Sequence, residues 1–158
     1  MKRSPGGGLI FFISVLLFLI VSCSEPLKIG ISKGSGSEHY EQYSKWLKSI
    51  DPEIEPIDLY NVEFQEAEVL IKECSGLLLS GGPDVHPGFY GKEHDTARCE
   101  IDFYRDTLEY MLIESAKEMK LPILAICRGE QILNTAYGGT PIVDIPEDFG
   151  TDVAHRCE

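Results

Sequence analysis

Residues 121–134 read LPILAICRGEQILN, and this stretch decides the fold class. The short apolar run at 123–126 is typical of a buried strand, and the residues after Cys127 turn the chain directly into an amphipathic segment. Cys127 therefore lies on a predicted strand-to-helix elbow. The turn is tight enough to need small residues two positions to either side, and Ala125 and Gly129 occupy those positions.

A thiol at this elbow meets the positive end of the following helix, which favours the reactive thiolate. The alternative is that Cys127 is a small buried apolar residue, as free cysteines often are. We favour the nucleophile, because the residue stands at a strand–glycine–helix junction.

Strand and helix patterns alternate through the rest of the chain, which predicts an α/β fold with a parallel sheet. We expect a long irregular segment at 85–99 and a short final strand at 142–145. An aromatic stripe on the first helix, Tyr40, Tyr43 and Trp46, is predicted to lie in the core. The predicted strands are 27–31, 54–59, 76–79 and 123–126, and the predicted helices are 38–50, 62–73, 101–120 and 130–137.

A pair of glycines, Gly81 and Gly82, follows the third predicted strand. Ligands of open parallel sheets bind beyond the carboxyl ends of the strands, so these glycines and Cys127 are expected to share one crevice. An acyl-transfer nucleophile needs two N–H donors for its oxyanion, and the backbone N–H groups of Gly82 and Arg128 are the candidates. Gly81 and His86 are candidate substrate-loop residues, and a plain turn is the alternative for the two glycines.

Several motifs, taken together, resemble the class I glutamine amidotransferase-like hydrolases, specifically the γ-glutamyl-γ-aminobutyrate hydrolase group (peptidase family C26). The resemblance implies a flavodoxin-like open parallel sheet with helices on both faces. It implies hydrolysis of a small γ-glutamyl amide through a thioester on Cys127, with Gly82 and Arg128 forming the oxyanion hole. No metal or organic cofactor is implied. The motifs are SGGPDVHP at 80–87, RDTLE at 105–109, the elbow at 122–134, and GGTPIVDI at 138–145.

The sequence departs from the family pattern in two places. Ala125 stands where the family usually has glycine, and the His-Pro-Glu segment that carries the family's base does not occur in the 158 residues. The resemblance therefore implies that the C-terminal part of the domain is missing and that the fragment is inactive alone. His86 lies beside the oxyanion loop, where substrate or loop contacts are expected. Solvated positions are predicted for His39 and His94, and a fraying C-terminal tail for His155. Two alternatives stay open: a non-catalytic envelope binding protein, and a glutaminase-type amidotransferase component.

The N-terminus predicts export. Lys2 and Arg3 precede an apolar run at 9–21, which is short for a membrane span and suits a signal peptide. The run ends in a sequence that resembles a bacterial lipobox, so residues 1–22 are predicted to be a signal peptide and Cys23 to be lipidated. Residues 23–158 would then be the N-terminal portion of one amidotransferase-like domain, held at a cell-envelope membrane. An uncleaved N-terminal anchor is the alternative.

The net charge and the cysteine spacing argue against two kinds of ligand, nucleic acids and metal ions. A net charge of −12 argues against a nucleic-acid partner. The five cysteines include no CxxC pair, and no HExxH motif occurs, which argues against a metal site. Cys99 and Cys157 are the pair to test for a disulfide. The alternative, which we favour, is that these cysteines are buried free thiols. Arg105 and Glu109 either pair on a helix surface or brace the active-site loop.

Overall fold

The computed structural model describes residues 25–150 of the chain. The predicted signal peptide, the lipidation candidate Cys23, and His155 and Cys157 lie outside the described residues. Within residues 25–150, no helix combines the length and the apolar character needed to cross a membrane.

Four parallel strands form the sheet of the described part of the chain: β1 (Lys28–Ile31), β2 (Glu55–Asp58), β3 (Gly76–Leu79) and β4 (Ile123–Ala125). Their order across the sheet is β2–β1–β3–β4, which is the flavodoxin-like order. The predicted α/β class and parallel sheet are confirmed, and the four strands predicted at 27–31, 54–59, 76–79 and 123–126 are found within one residue of their expected bounds.

Five α-helices accompany these strands within residues 25–150. The longest, α3 (Phe103–Met119), begins after an Asp102 side chain that accepts the Arg105 N–H. The segment at 85–99 contains two short 3₁₀ helices, Pro87–Tyr90 and Glu93–Arg98. The α-helices are α1 (Glu38–Ile50), α2 (Phe64–Leu70), α3 (Phe103–Met119), α4 (Arg128–Ala136) and α5 (Ile145–Phe149).

The helices lie on both faces of the sheet because β3 buries apolar side chains in both directions. Leu77 and Leu79 pack among residues of α2, α3 and α4, whereas Leu78 packs on the opposite face against Leu47 of α1. All three leucines are at most 2% exposed. Each such burial contributes about 1.5–3 kcal/mol, so this central strand holds the two layers together and fixes where its carboxyl end points.

Two sequence predictions are wrong. Residues 142–145 do not form a strand, because the Asp144 side chain caps α5 by accepting the Glu147 N–H at 2.8 Å. Pro146 in the first helical turn favours the helix and has no N–H for a sheet. Trp46 is 44% exposed rather than in the core, because Leu47 takes the inward position on α1.

Candidate active site

Cys127 connects β4 to α4 in a backbone conformation that residues other than glycine rarely adopt. Its φ is 53° and its ψ is −112°, and the residue is exposed. Conformations of this kind cost about 1–3 kcal/mol and persist only where the surrounding structure imposes them. The thiol stands at the N-terminus of α4 and caps no N–H there. The predicted elbow is therefore present, with the side chain held out at the carboxyl edge of the sheet.

Gly129 explains how the elbow packs so tightly. A Cβ at this position would overlap the backbone carbonyl of Leu79 at the end of β3. The first turn of α4 therefore lies directly against β3, and only glycine fits there. The Gly129 N–H donates to the Ile126 carbonyl at 2.9 Å, which closes the turn around Cys127.

The glycine loop after β3 lies beside the nucleophile candidate. A Cβ built on Gly81 would be 3.6 Å from the Cys127 Cβ, so the two predicted parts of the site lie side by side at the carboxyl edge of the sheet. Within residues 25–150, the backbone N–H groups of Gly82 and Arg128 donate to no other protein group. Both are therefore available to a ligand, as an oxyanion hole requires, and their assignment as oxyanion donors stays a prediction.

Two tyrosines of α1 reach this loop, although the sequence suggested only core positions for them. The Tyr43 hydroxyl accepts the Gly81 N–H at 2.9 Å, and the Tyr40 hydroxyl accepts from Arg105 Nη1 at 3.2 Å. A phenol that accepts one hydrogen bond keeps its own O–H to donate. Their spacing of three residues on a helix was visible in the sequence, but their polar contacts were not.

Four charged residues are buried behind the crevice. Arg105, Asp106, Glu109 and Arg128 are each at most 1% exposed. Arg105 Nε donates to Glu109 at 2.9 Å, and Arg128 pairs with both Glu109 and Asp106. The proposed pairing of Arg105 and Glu109 on the helix surface is therefore wrong, since the pair is internal. Burial raises the pKa of the Asp106 carboxyl, against the opposing effects of Arg128 and of the His86 N–H.

His86 makes loop contacts rather than contacts with the nucleophile. Its Nδ1 accepts the Gly88 N–H at 2.9 Å, and its ring packs edge-on against Phe103 at a centroid distance of 5.6 Å. His94 is exposed and lies 3.3 Å from Asp95. Within the described residues, neither of these histidines nor His39 hydrogen-bonds the Cys127 thiol.

The other described cysteines differ from Cys127 in environment. Cys74 is buried and Cys99 is partly buried, and neither forms a disulfide with another cysteine of residues 25–150. Burial raises the pKa of each of these two thiols. Across residues 25–150, no group of three or more histidine, cysteine or acidic side chains is arranged to hold a metal ion. A groove of about 660 Å³ runs along the open side of β4 and α4, but Cys127 does not line it.

Residues 54–157 match the sequence model of the family described as Peptidase C26. The chain belongs to the Peptidase C26 family. A putative glutamine amidotransferase of Schizosaccharomyces pombe is 46% identical over 66 residues, covering 41% of this chain and 26% of that protein. A putative glutamine amidotransferase of Mycobacterium tuberculosis is 34% identical over 96 residues, covering 61% of this chain and 31% of that protein.

The γ-glutamyl-γ-aminobutyrate hydrolase of Escherichia coli K12 is 40% identical over 74 residues, covering 46% of this chain and 28% of that protein. The matched part of the chain thus spans between about a quarter and a third of the length of these three C26 relatives. The family and the class I amidotransferase-like fold expected from the motifs are confirmed. The C26 match includes Gly82, Cys127 and Arg128, whereas Tyr40 and Tyr43 precede it.

Proposed function

We propose that this protein is a cysteine-dependent hydrolase of γ-glutamyl amide bonds, with Cys127 as nucleophile and the N–H groups of Gly82 and Arg128 as oxyanion donors. The observation that carries the proposal is the strained backbone of Cys127, at φ 53°, beside the Gly81-Gly82 loop. A structural cysteine has no need of that strain. A nucleophile does, because the elbow frees its side chain from the strand and the helix on either side.

The proposed reaction has two steps. The Cys127 thiolate attacks the γ-carbonyl carbon, a C–S bond forms, and the oxyanion is stabilised by the two N–H donors. The C–N bond then breaks and the amine leaves with a proton. Water attacks the thioester, the C–S bond breaks, and glutamate is released with the thiol restored. We assign no general base to a described residue, and we propose that the 158-residue chain does not turn over amide substrates.

The substrate class rests on the relatives. One is named a γ-glutamyl-γ-aminobutyrate hydrolase, and the amine portion for this protein is not assigned. Two others are named putative glutamine amidotransferases, which favours a second candidate, a glutaminase component that releases ammonia. The two candidates share the Cys127 chemistry and differ in the leaving amine.

The N-terminal sequence supports a location at the cell envelope. We propose that residues 1–22 are removed as a signal peptide, that Cys23 carries a lipid, and that the domain faces the cell envelope. A small γ-glutamyl compound and the membrane lipid are then the expected partners. An envelope location favours the hydrolase over the glutaminase, since ammonia would have to pass to a synthase at the same place.

The test compares three substrates with the same γ-glutamyl group: a p-nitrophenyl ester, a p-nitroanilide and free glutamine. The ester leaving group departs without a proton, so we expect a single burst of nitrophenol from this chain. We expect no turnover of the anilide, since no residue of the described part of the chain is assigned to deliver a proton to the amine. The Cys127→Ala variant should show no burst, and Cys99→Ala should match the wild type. A burst that persists in Cys127→Ala contradicts the nucleophile. Release of ammonia from glutamine without release of nitroaniline contradicts the expected inactivity toward amides and favours the glutaminase.

A further inference from the structure

The buried ion-pair cluster, defined as Arg105, Asp106, Glu109 and Arg128, has no evident role in stability. Burying charges is costly, and apolar residues of the same volume would often serve a core as well or better. The cluster is balanced, with two positive and two negative side chains, and every member is at most 1% exposed. Its position between the two sides of the crevice points to a role in the site.

Glu109 links the two arginines through its two carboxylate oxygens. Oε1 accepts from Arg105 Nε at 2.9 Å, and Oε2 accepts from Arg128 Nη1. Arg105 and Glu109 belong to α3, whereas Arg128 is the first residue of α4. One carboxylate therefore couples two elements that approach the crevice from different parts of the chain.

The Arg105 end of the cluster holds the glycine loop. Arg105 Nη2 donates to the Ser80 carbonyl at 2.8 Å and to the Ser80 Oγ at 3.0 Å. A Cβ on Gly82 would overlap Arg105 Nη1, so the guanidinium lies directly behind that residue. The position of the Gly82 N–H is thus set by where Arg105 sits.

The Arg128 end holds the elbow. The backbone N–H of Arg128 is the second proposed oxyanion donor, and its side chain is fixed by Glu109 and Asp106. The other oxygen of Asp106 accepts the His86 N–H at 3.0 Å, which ties the loop beyond Gly82 to the same cluster. Both proposed donors are therefore attached to one charged framework.

We propose that Glu109 is a positioning residue that fixes the separation of the Gly82 and Arg128 N–H groups. The proposal rests on their assignment as oxyanion donors under the proposed function. Donors of this kind act only when they lie about 2.7–3.1 Å from the oxyanion. A misplacement of about 1 Å costs roughly 100-fold in rate, so loosening the Glu109 link impairs acyl transfer while leaving the thiol in place.

Two reactions of the same thiol separate this role from a general structural one. p-Nitrophenyl acetate transfers its acetyl group to Cys127: the C–S bond forms, the ester C–O bond breaks, nitrophenolate leaves and the thiol proton goes to solvent. This step passes through an oxyanion. Iodoacetamide alkylates the thiol by displacement of iodide and forms no oxyanion. The ratio of the acetylation rate to the alkylation rate at Cys127 therefore reports the oxyanion hole.

The experiment measures both rates by mass spectrometry of the Cys127 peptide in the wild-type chain, Glu109→Gln and Glu114→Gln. Glu114 is exposed on the same helix and serves as the matched control. In Glu109→Gln the neutral amide accepts from only one arginine, so we expect acetylation to fall about 10- to 100-fold and alkylation to change less than about twofold. Glu114→Gln should match the wild type in both reactions.

An unchanged ratio in a folded Glu109→Gln chain overturns the proposal, and so does an equal fall in both rates. Should that variant not fold by near-UV circular dichroism, Arg105→Lys carries the same expectation, because lysine keeps the charge but loses the paired contacts to Ser80 and Glu109. If the ratio of acetylation to alkylation at Cys127 is no higher in the folded wild-type chain than in the unfolded chain, the fold provides no oxyanion hole. p-Nitrophenyl acetate has no γ-glutamyl group, so an error in the substrate class leaves this test intact.

Discussion

Replacing Cys127 with glycine should stabilise the fold relative to replacing it with alanine. Alanine at this position keeps a Cβ at φ 53° and ψ −112°, and therefore keeps the strain of the native elbow. Glycine has no Cβ and adopts this conformation without penalty. The thiol makes no capping hydrogen bond, so both variants lose the same exposed side chain.

The expected difference in free energy of unfolding between Cys127→Gly and Cys127→Ala has two opposing contributions. Relief of strain contributes about 1–3 kcal/mol, while the extra freedom of glycine in the unfolded chain costs about 0.5–1 kcal/mol. The net difference is about 1 kcal/mol in favour of Cys127→Gly, which corresponds to roughly 4 °C in Tm for a domain of this size. An alanine variant is usually more stable than a glycine variant at the same position, and at Cys127 we expect the reverse.

Urea denaturation followed by far-UV circular dichroism measures the difference, with equal slopes in the two variants. The control is the pair Glu114→Ala and Glu114→Gly in the middle of α3, where glycine should be less stable by about 1 kcal/mol. If Cys127→Gly is also the less stable of its pair, the backbone at Cys127 is unstrained. The elbow would then give no support to Cys127 as a nucleophile.

Three further predictions concern the elbow, the last residue of β2 and the N-terminal anchor. Gly129→Ala should destabilise the fold by about 1–3 kcal/mol in urea denaturation, because the new Cβ overlaps the Leu79 carbonyl, whereas Gly138→Ala, with φ 84° and open space, should cost only about 1 kcal/mol. Burial would raise the pKa of Asp58, but hydrogen bonds to its carboxylate outweigh this and lower the pKa, so the stability it contributes is present above about pH 4 and lost as pH falls through the folded-state pKa. Asp58→Asn should therefore be about 1–2 kcal/mol less stable at pH 7, with the gap closing in urea titrations below about pH 4, and a gap independent of pH contradicts it. In a bacterial host, Cys23→Ala should abolish incorporation of labelled palmitate, and label retained in that variant excludes lipidation at this residue.

The sequence predicted much of the fold because its signals are local. The apolar run before Cys127, and Gly129 two residues after it, identify the elbow without any knowledge of the rest of the molecule. The alternation of strand and helix patterns then predicted a parallel sheet, which places Gly81 and Cys127 at the same edge. Each of these inferences depends on hydrophobic periodicity or on local backbone geometry, and both can be recognised from a few neighbouring residues in the sequence.

The features that the sequence did not reveal depend on contacts between distant residues. Arg105 and Glu109 carry the i,i+4 spacing of an ordinary surface pair, and only the packing of α3 against α4 places them inside with Arg128. Tyr43 reads as an apolar helix residue, yet its hydroxyl accepts from Gly81. The false strand at 142–145 arose because apolar residues outweighed the Asp144 cap.

The most direct test of whether Cys127 is the nucleophile is to trap the acyl-enzyme that it would form. The chain is mixed with a γ-glutamyl p-nitrophenyl ester, quenched in acid, digested and examined by mass spectrometry. If Cys127 is the nucleophile, the peptide that contains Cys127 carries one glutamyl group, which neutral hydroxylamine removes as it would from a thioester and which is absent from Cys127→Ala. A glutamyl group on Cys99, or none on any cysteine while Cys127 still reacts with iodoacetamide, would show that Cys127 is not the nucleophile.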